Sequence, residues 1–105
     1  ETVQVVRAVT GWQDFNLSEL LTIGARRLNM MRLLNQRLGF DRKADRLPPK
    51  AFRPLQGTGP TAGTVISQAQ VDAAQDTYYR LAGWDVATGN PTSQRLRELG
   101  LGWSV

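Results

Sequence analysis

The chain has no cysteine and no histidine. The first absence excludes a disulfide framework, a thiolate nucleophile and a cysteine-held iron–sulfur cluster within these residues. The second removes the commonest general base and, together with the first, the usual ligands of zinc and haem. Carboxylates, hydroxyls and amines are what remain for catalysis, so the chain by itself makes a poor enzyme. Long apolar runs are missing too. No stretch is long enough to span a bilayer and no signal-peptide pattern opens the sequence, so nothing here argues for a membrane or for export. The first residue is Glu1 rather than Met, which reads as a cut, processed or trimmed start.

What is present is 105 residues, 41% of them hydrophobic, enough for one modest core in one domain or part of one. The net charge is +4, unevenly placed. Between Arg26 and Arg53 stand nine basic residues opposed only by Asp41 and Asp45, a local charge of +7. Such a block could serve an acidic partner or nucleic acid. No helix-turn-helix pattern, RNA-binding signature or interleaved aromatics accompany it, so nucleic acid is the weaker expectation. The loop Asp41 to Arg46 reads as a solvated segment with local ion pairs or an anion contact. Gly57, Gly59 and Gly63 make no phosphate loop, because no Gly-Lys-Ser/Thr follows them.

The periodicities predict an all-α fold, a small bundle of about four helices with a long Pro/Gly-rich connecting loop. Residues 2–10 combine a helical period with β-branched content that favours a strand, and Gly11 directly after them tips the reading to a helix. Asn16 and Glu19 form a capping pattern that starts a second helix, running to Gly39. On it Leu17, Leu20, Leu21, Gly24, Leu28, Met31, Leu34 and Leu38 share one face, widened by Ile23, Met30 and Leu33. That arc is about twice the roughly 100° stripe of an ordinary surface helix. Gly24, inside the stripe, weakens the helix by about 1 kcal/mol relative to alanine and suggests a close neighbouring backbone. From Gly39 to Gly63 the chain reads as a loop, more natural as a strap across a larger body than inside a small domain. Ser67 and Gln70 cap a third helix whose apolar face is Val71, Ala74, Tyr78 and Leu81, stopped by Gly83. Pro91-Thr92 open a last short helix, Ser93 to Leu99. Both Gly-Trp pairs, at 11–12 and 83–84, read as C-caps whose Trp folds back on the core.

Three polar residues on the second helix are candidates for a pocket or an interface: Arg32, Asn35 and Arg37. Asn35 lies at the centre of the apolar arc, where a buried amide needs a partner. That partner is either a loop backbone or a group at a ligand or cofactor pocket in a larger assembly. Arg27 and Arg32 lie at the edges of the arc, either with their stems on apolar surface and heads in water, or in buried ion pairs across an interface.

A resemblance then emerges. Thr10-Gly11-Trp12, Glu19-Leu20-Leu21, Ile23-Gly24, Arg26-Arg27, Asn29, Arg32-Leu33, Asn35, Arg37, Gly39-Phe40, Arg42-Lys43, Asp45 and Leu47-Pro48 follow in order. After them come Gly59-Pro60, Gly63, Val65, Tyr78-Tyr79-Arg80-Leu81, Gly83-Trp84-Asp85, Pro91-Thr92, Leu96 and Glu98-Leu99-Gly100-Leu101. This series resembles the C-terminal region of the aldehyde ferredoxin oxidoreductases over almost the whole chain. Leu38 stands where that family usually has an acidic residue before Gly-Phe.

The resemblance implies that residues 1–105 are a single C-terminal helical domain of a cytoplasmic oxidoreductase of several hundred residues. Such enzymes carry a tungsten, sometimes molybdenum, bis-pterin cofactor and a four-iron–four-sulfur cluster. They oxidise aldehydes to carboxylic acids and pass the electrons to ferredoxin, and relatives act on aromatic acyl-CoA thioesters. The cluster cysteines and pterin motifs of the family precede this region, so no catalytic, cofactor-binding or metal residue transfers to this chain. The expected partners are the remaining domains of the parent enzyme, with ferredoxin for the whole. An isolated copy should expose its apolar helix face or form a homodimer through it. From outside this family, the competing reading is a stand-alone basic helical module that binds an acidic partner or nucleic acid.

Overall fold

The structure is a computed structural model describing all 105 residues. It contains four α-helices and no strand: α1 (Thr2–Thr10), α2 (Leu17–Arg37), α3 (Gln68–Ala82) and α4 (Ser93–Glu98). The all-α expectation holds, and so does the long connection. Short 3₁₀ turns at Arg42–Ala44 and Pro49–Phe52 are its only regular pieces between α2 and α3. None of the helices is long and apolar enough to cross a membrane.

Local chemistry sets the helix ends. The Asn16 side chain accepts from the Glu19 amide, and Ser67 and Gln70 form a complete reciprocal capping box. These caps satisfy amides that a helix start otherwise leaves without partners. Thr92 caps α4 in the same way. Gly11 and Gly83 close α1 and α3 in left-handed conformation, at φ 75° and 74°, so both Gly-Trp pairs are C-caps. Only the second Trp turns inward: Trp84 is half-buried, whereas Trp12 is 60% exposed.

Packing is open. The Cα radius of gyration is 18.3 Å, with extents of 50 × 35 × 21 Å, against about 13 Å for a compact domain of this length. Five apolar side chains are buried: Phe15, Tyr79, Leu96, Leu99 and Leu101. The three leucines form one small cluster at the end of the chain, packed on Ala25 and Leu33 of α2. Arg26 reinforces it, its Nε donating to the Leu99 carbonyl at 2.7 Å.

The helices turn the unexpected faces inward. α2 packs through Thr22, Ala25, Asn29, Arg32 and Leu33. Its apolar arc stays open, with Leu17, Leu21, Leu28, Met31, Leu34 and Leu38 all more than half exposed. α3 corrects the sequence expectation in the same way. Its inward residues are Val71, Gln75, Asp76, Tyr79 and Ala82, so of the expected apolar face only Val71 turns in, while Ala74, Tyr78 and Leu81 are exposed. Apolar area alone would favour the opposite faces; here buried polar bonds determine the orientation.

Candidate functional site

The polar centre of the molecule is built around Arg32 of α2. Its Nε donates to the Gly89 carbonyl at 2.7 Å, and its two terminal nitrogens donate to the Asp45 carboxylate at 2.8 and 2.5 Å. This is the bidentate fork that a guanidinium makes best. The Arg32 side chain is 8% exposed and that of Asp45 32%. The guanidinium carbon lies 5.1 Å from the Trp84 ring centroid and 5.9 Å from that of Tyr79, within cation–π range.

Further contacts complete the network. The Tyr79 hydroxyl donates to the second Asp45 oxygen. Gln75 Nε2 donates both to the Tyr79 oxygen at 2.9 Å and to the Asp45 carbonyl at 3.0 Å. Trp84 Nε1 donates to Asn29 Oδ1 at 3.0 Å, and Asn29 donates back to the Ala25 carbonyl. Arg42 sits on the other side of Tyr79, 5.3 Å from its ring, donating to the Val86 carbonyl and paired with Asp76 at 2.6 Å. That pairing is electrostatic rather than a well-angled hydrogen bond. Five segments thus meet at one point: α2, the 42–45 turn, α3 and the two halves of the 83–92 loop.

Gly89 is the tightest part. It is buried at φ 71°, and a Cβ there would stand 2.5 Å from an Arg32 terminal nitrogen and 2.9 Å from the Tyr79 ring. Only glycine combines that conformation with that approach.

Electrostatics define what the centre can do. Hydrogen bonds from Arg32 hold the Asp45 carboxyl below the ordinary carboxylate range. Burial, with the bond to Asp45, pushes the Tyr79 hydroxyl up to about 12. The Asp45 bond raises the Arg32 guanidinium as well. At neutral pH the carboxylate is charged, the phenol neutral and the guanidinium charged. None is poised to exchange a proton, so the arrangement is a clasp and not an acid–base pair. A cleft of about 340 Å³ opens beside it, lined by Arg32, Asp45, Gln75, Tyr78, Tyr79 and Trp84.

The three candidates from the sequence therefore separate. Arg32 is in a buried ion pair, though within this chain. Asn35 is exposed on the open arc, and its side chain makes no bond to a loop; the buried amide is Asn29, 3% exposed. Arg37 is exposed in the last turn of α2. The sequence assigns no site role to Asn29, Gln75 or Tyr79. Asp45 carries a signal as one of two acids in a basic block, and Asn29 and Tyr79 only as members of the resembling series.

The chain is open and all-helical, and its polar centre is the Arg32–Asp45 clasp. The family described as aldehyde ferredoxin oxidoreductase, domains 2 and 3, matches residues 1–101. The chain belongs to that family. It is 35% identical to the tungsten-containing aldehyde ferredoxin oxidoreductase of Pyrococcus abyssi over 98 residues, 92% of this chain and 15% of that protein. The enzyme of the same name from Pyrococcus horikoshii gives the same identity and coverage. The chain thus spans about 15% of the length of the relatives it matches. Its fold is also similar to part of the active-site complex BamBC of benzoyl coenzyme A reductase, with a TM-score of 0.75 and 23% identity, covering 98% of this chain and 14% of that one.

Both of these Pyrococcus relatives are named as tungsten-containing enzymes. In this chain there is no cysteine, and no group of three carboxylates lies close enough to hold an ion.

Proposed function

We propose that this chain is the C-terminal helical domain of a cytoplasmic tungsten- or molybdenum-pterin oxidoreductase. The parent enzyme oxidises aldehydes to carboxylic acids and passes electrons through an iron–sulfur cluster to ferredoxin. In this reading the chain binds no cofactor alone and is catalytically inert. It completes the wall around a cofactor site made by other domains and ties those domains together. Asn35 and Arg37 face the junction from the open side of α2. Arg32 acts behind them, by keeping α2, α3 and the strap in register.

One observation carries this reading best: the apolar faces of both long helices are exposed while the polar clasp between them is fully formed. A monomer rarely leaves that much contiguous apolar surface in water. The test is expression of the full reading frame that contains these residues, with tungsten and iron quantified by mass spectrometry and aldehyde oxidation followed with a viologen acceptor. The whole protein should bind metal and turn over, and the 105-residue chain should do neither. Aldehyde oxidation by the purified 105-residue chain would sink the proposal.

A further inference from the structure

The open arc of α2 has a particular feature at Gly24. A mid-helix glycine weakens a helix relative to alanine, so its presence calls for a reason. Gly24 does not need a left-handed conformation, since its φ is not positive. It does not make room for this chain either: a Cβ there would meet no atom within 4 Å. Leu21 and Leu28 lie one turn to either side, with Leu17 and Met31 beyond. All four share its face, and they are 65%, 53%, 61% and 52% exposed respectively.

Charge describes what would cover this face. Arg27, at the rim, and Arg37 take part in none of the chain's ion pairs. The two acids of the basic block are already engaged, Asp41 with the Lys43 amide and Asp45 with Arg32. Glu19, near the start of α2, is the helix's one acid and is likewise in no ion pair, so with Arg27 and Arg37 the face keeps a net positive charge. A second copy of this chain would bring a second positive rim to the same place, which like charges disfavour. The relatives, of which this chain covers 15%, leave most of such an enzyme to supply the occupant.

We infer that the open face of α2 is a docking surface crossed at Gly24 by an apolar helix with acidic flanks, contributed by the rest of a longer polypeptide. The inference rests on the proposed function and adds to it the point of closest approach and the chemistry of the covering segment. Without a side chain at Gly24, two helix backbones can come closer than leucines alone would permit. Leu21 and Leu28 then close on either side of the contact, and Arg27 meets a carboxylate at its edge.

Met31 is a built-in probe, because exposed thioethers oxidise readily and covered ones do not. The experiment compares peroxide oxidation of Met31, read by peptide mass spectrometry, in the whole enzyme and in the 105-residue chain. Protection of about tenfold or more is expected in the whole enzyme. There, Gly24→Leu should return Met31 to the rate of the free chain, and Gly24→Ala should do so in part. Arg27→Glu introduces no clash and should also speed oxidation, which keeps the test informative if Gly24→Leu fails to fold. A metal-loaded, active whole enzyme in which Met31 reacts at the free-chain rate overturns the docking surface and leaves the proposed function standing. Protection that survives Gly24→Leu overturns the helix crossing. Protection already present in a dimeric 105-residue chain assigns the face to a second copy and overturns the inference. A metal-free, inactive whole protein removes the proposed function itself.

Discussion

Replacing Arg32 by alanine should be the most damaging single change in the chain. It deletes the two bonds to Asp45 and the bond to Gly89, and takes the cation away from Trp84 and Tyr79. Removing one partner of a buried ion pair costs about 3–5 kcal/mol, because the other charge is left uncompensated. The Asp45 side chain is 32% exposed, so water can take up part of that charge and the loss should lie at the low end, about 3 kcal/mol. That is a large share of a domain stability of about 5–15 kcal/mol, and this chain has only five buried apolar side chains to draw on. Arg32→Lys keeps the charge but loses the fork and the bond to Gly89, and should cost about 1–2 kcal/mol. Urea unfolding followed by far-ultraviolet circular dichroism measures both. An Arg32→Ala chain within about 0.5 kcal/mol of the parent, the range of ordinary surface changes, would refute the clasp as the organising contact.

The remaining predictions concern the same centre and the open face. The Asp45 carboxyl titrates below its unfolded value, near 3.9, because Arg32 bonds its charged form. Its contribution is therefore complete above that pH and is lost as pH falls through the lower folded value. The Tyr79 hydroxyl is raised to about 12, so its contribution is complete below about pH 10 and disappears between there and pH 12; urea midpoints at stepped pH should show both limbs. Gly89→Ala should cost about 2 kcal/mol or more, since the new Cβ meets Arg32 and Tyr79 in a conformation that alanine resists; its thermal midpoint should fall accordingly. Asn29→Ala leaves the Trp84 indole without its acceptor and should cost about 1–3 kcal/mol in the same unfolding assay. Gly24→Ala should do the reverse in the 105-residue chain, adding about 1 kcal/mol to α2, because nothing there stands in its way.

The sequence made the helices and their ends legible, because caps and left-handed glycines are local chemistry. Asn16, Ser67, Thr92, Gly11 and Gly83 each act within a few residues of themselves. The excess of apolar surface on α2 was legible for a similar reason: a 100° periodicity needs no partner to be seen. The inward faces were not. Periodicity equates apolar with buried, and here Asn29 and Arg32 are buried while Leu21 and Leu28 are exposed. The clasp joins Arg32 to Asp45 across 13 residues and to Gly89 across 57. No local pattern relates those positions, and Tyr79 reads as one more aromatic on a helix until its hydroxyl is seen against Asp45. Asn35 illustrates the same limit from the other side. It is central to the apolar arc, as its position implies, but the arc itself has no cover within this chain.

An experimental structure of the whole enzyme tests the central claim most directly, by measuring what lies over α2. The account predicts a helix backbone in contact with Gly24, with Leu21, Leu28 and Met31 each reduced to less than about a tenth exposed and a carboxylate beside Arg27. Ordered solvent over Gly24, with the three side chains as open as they are in this chain, would contradict it.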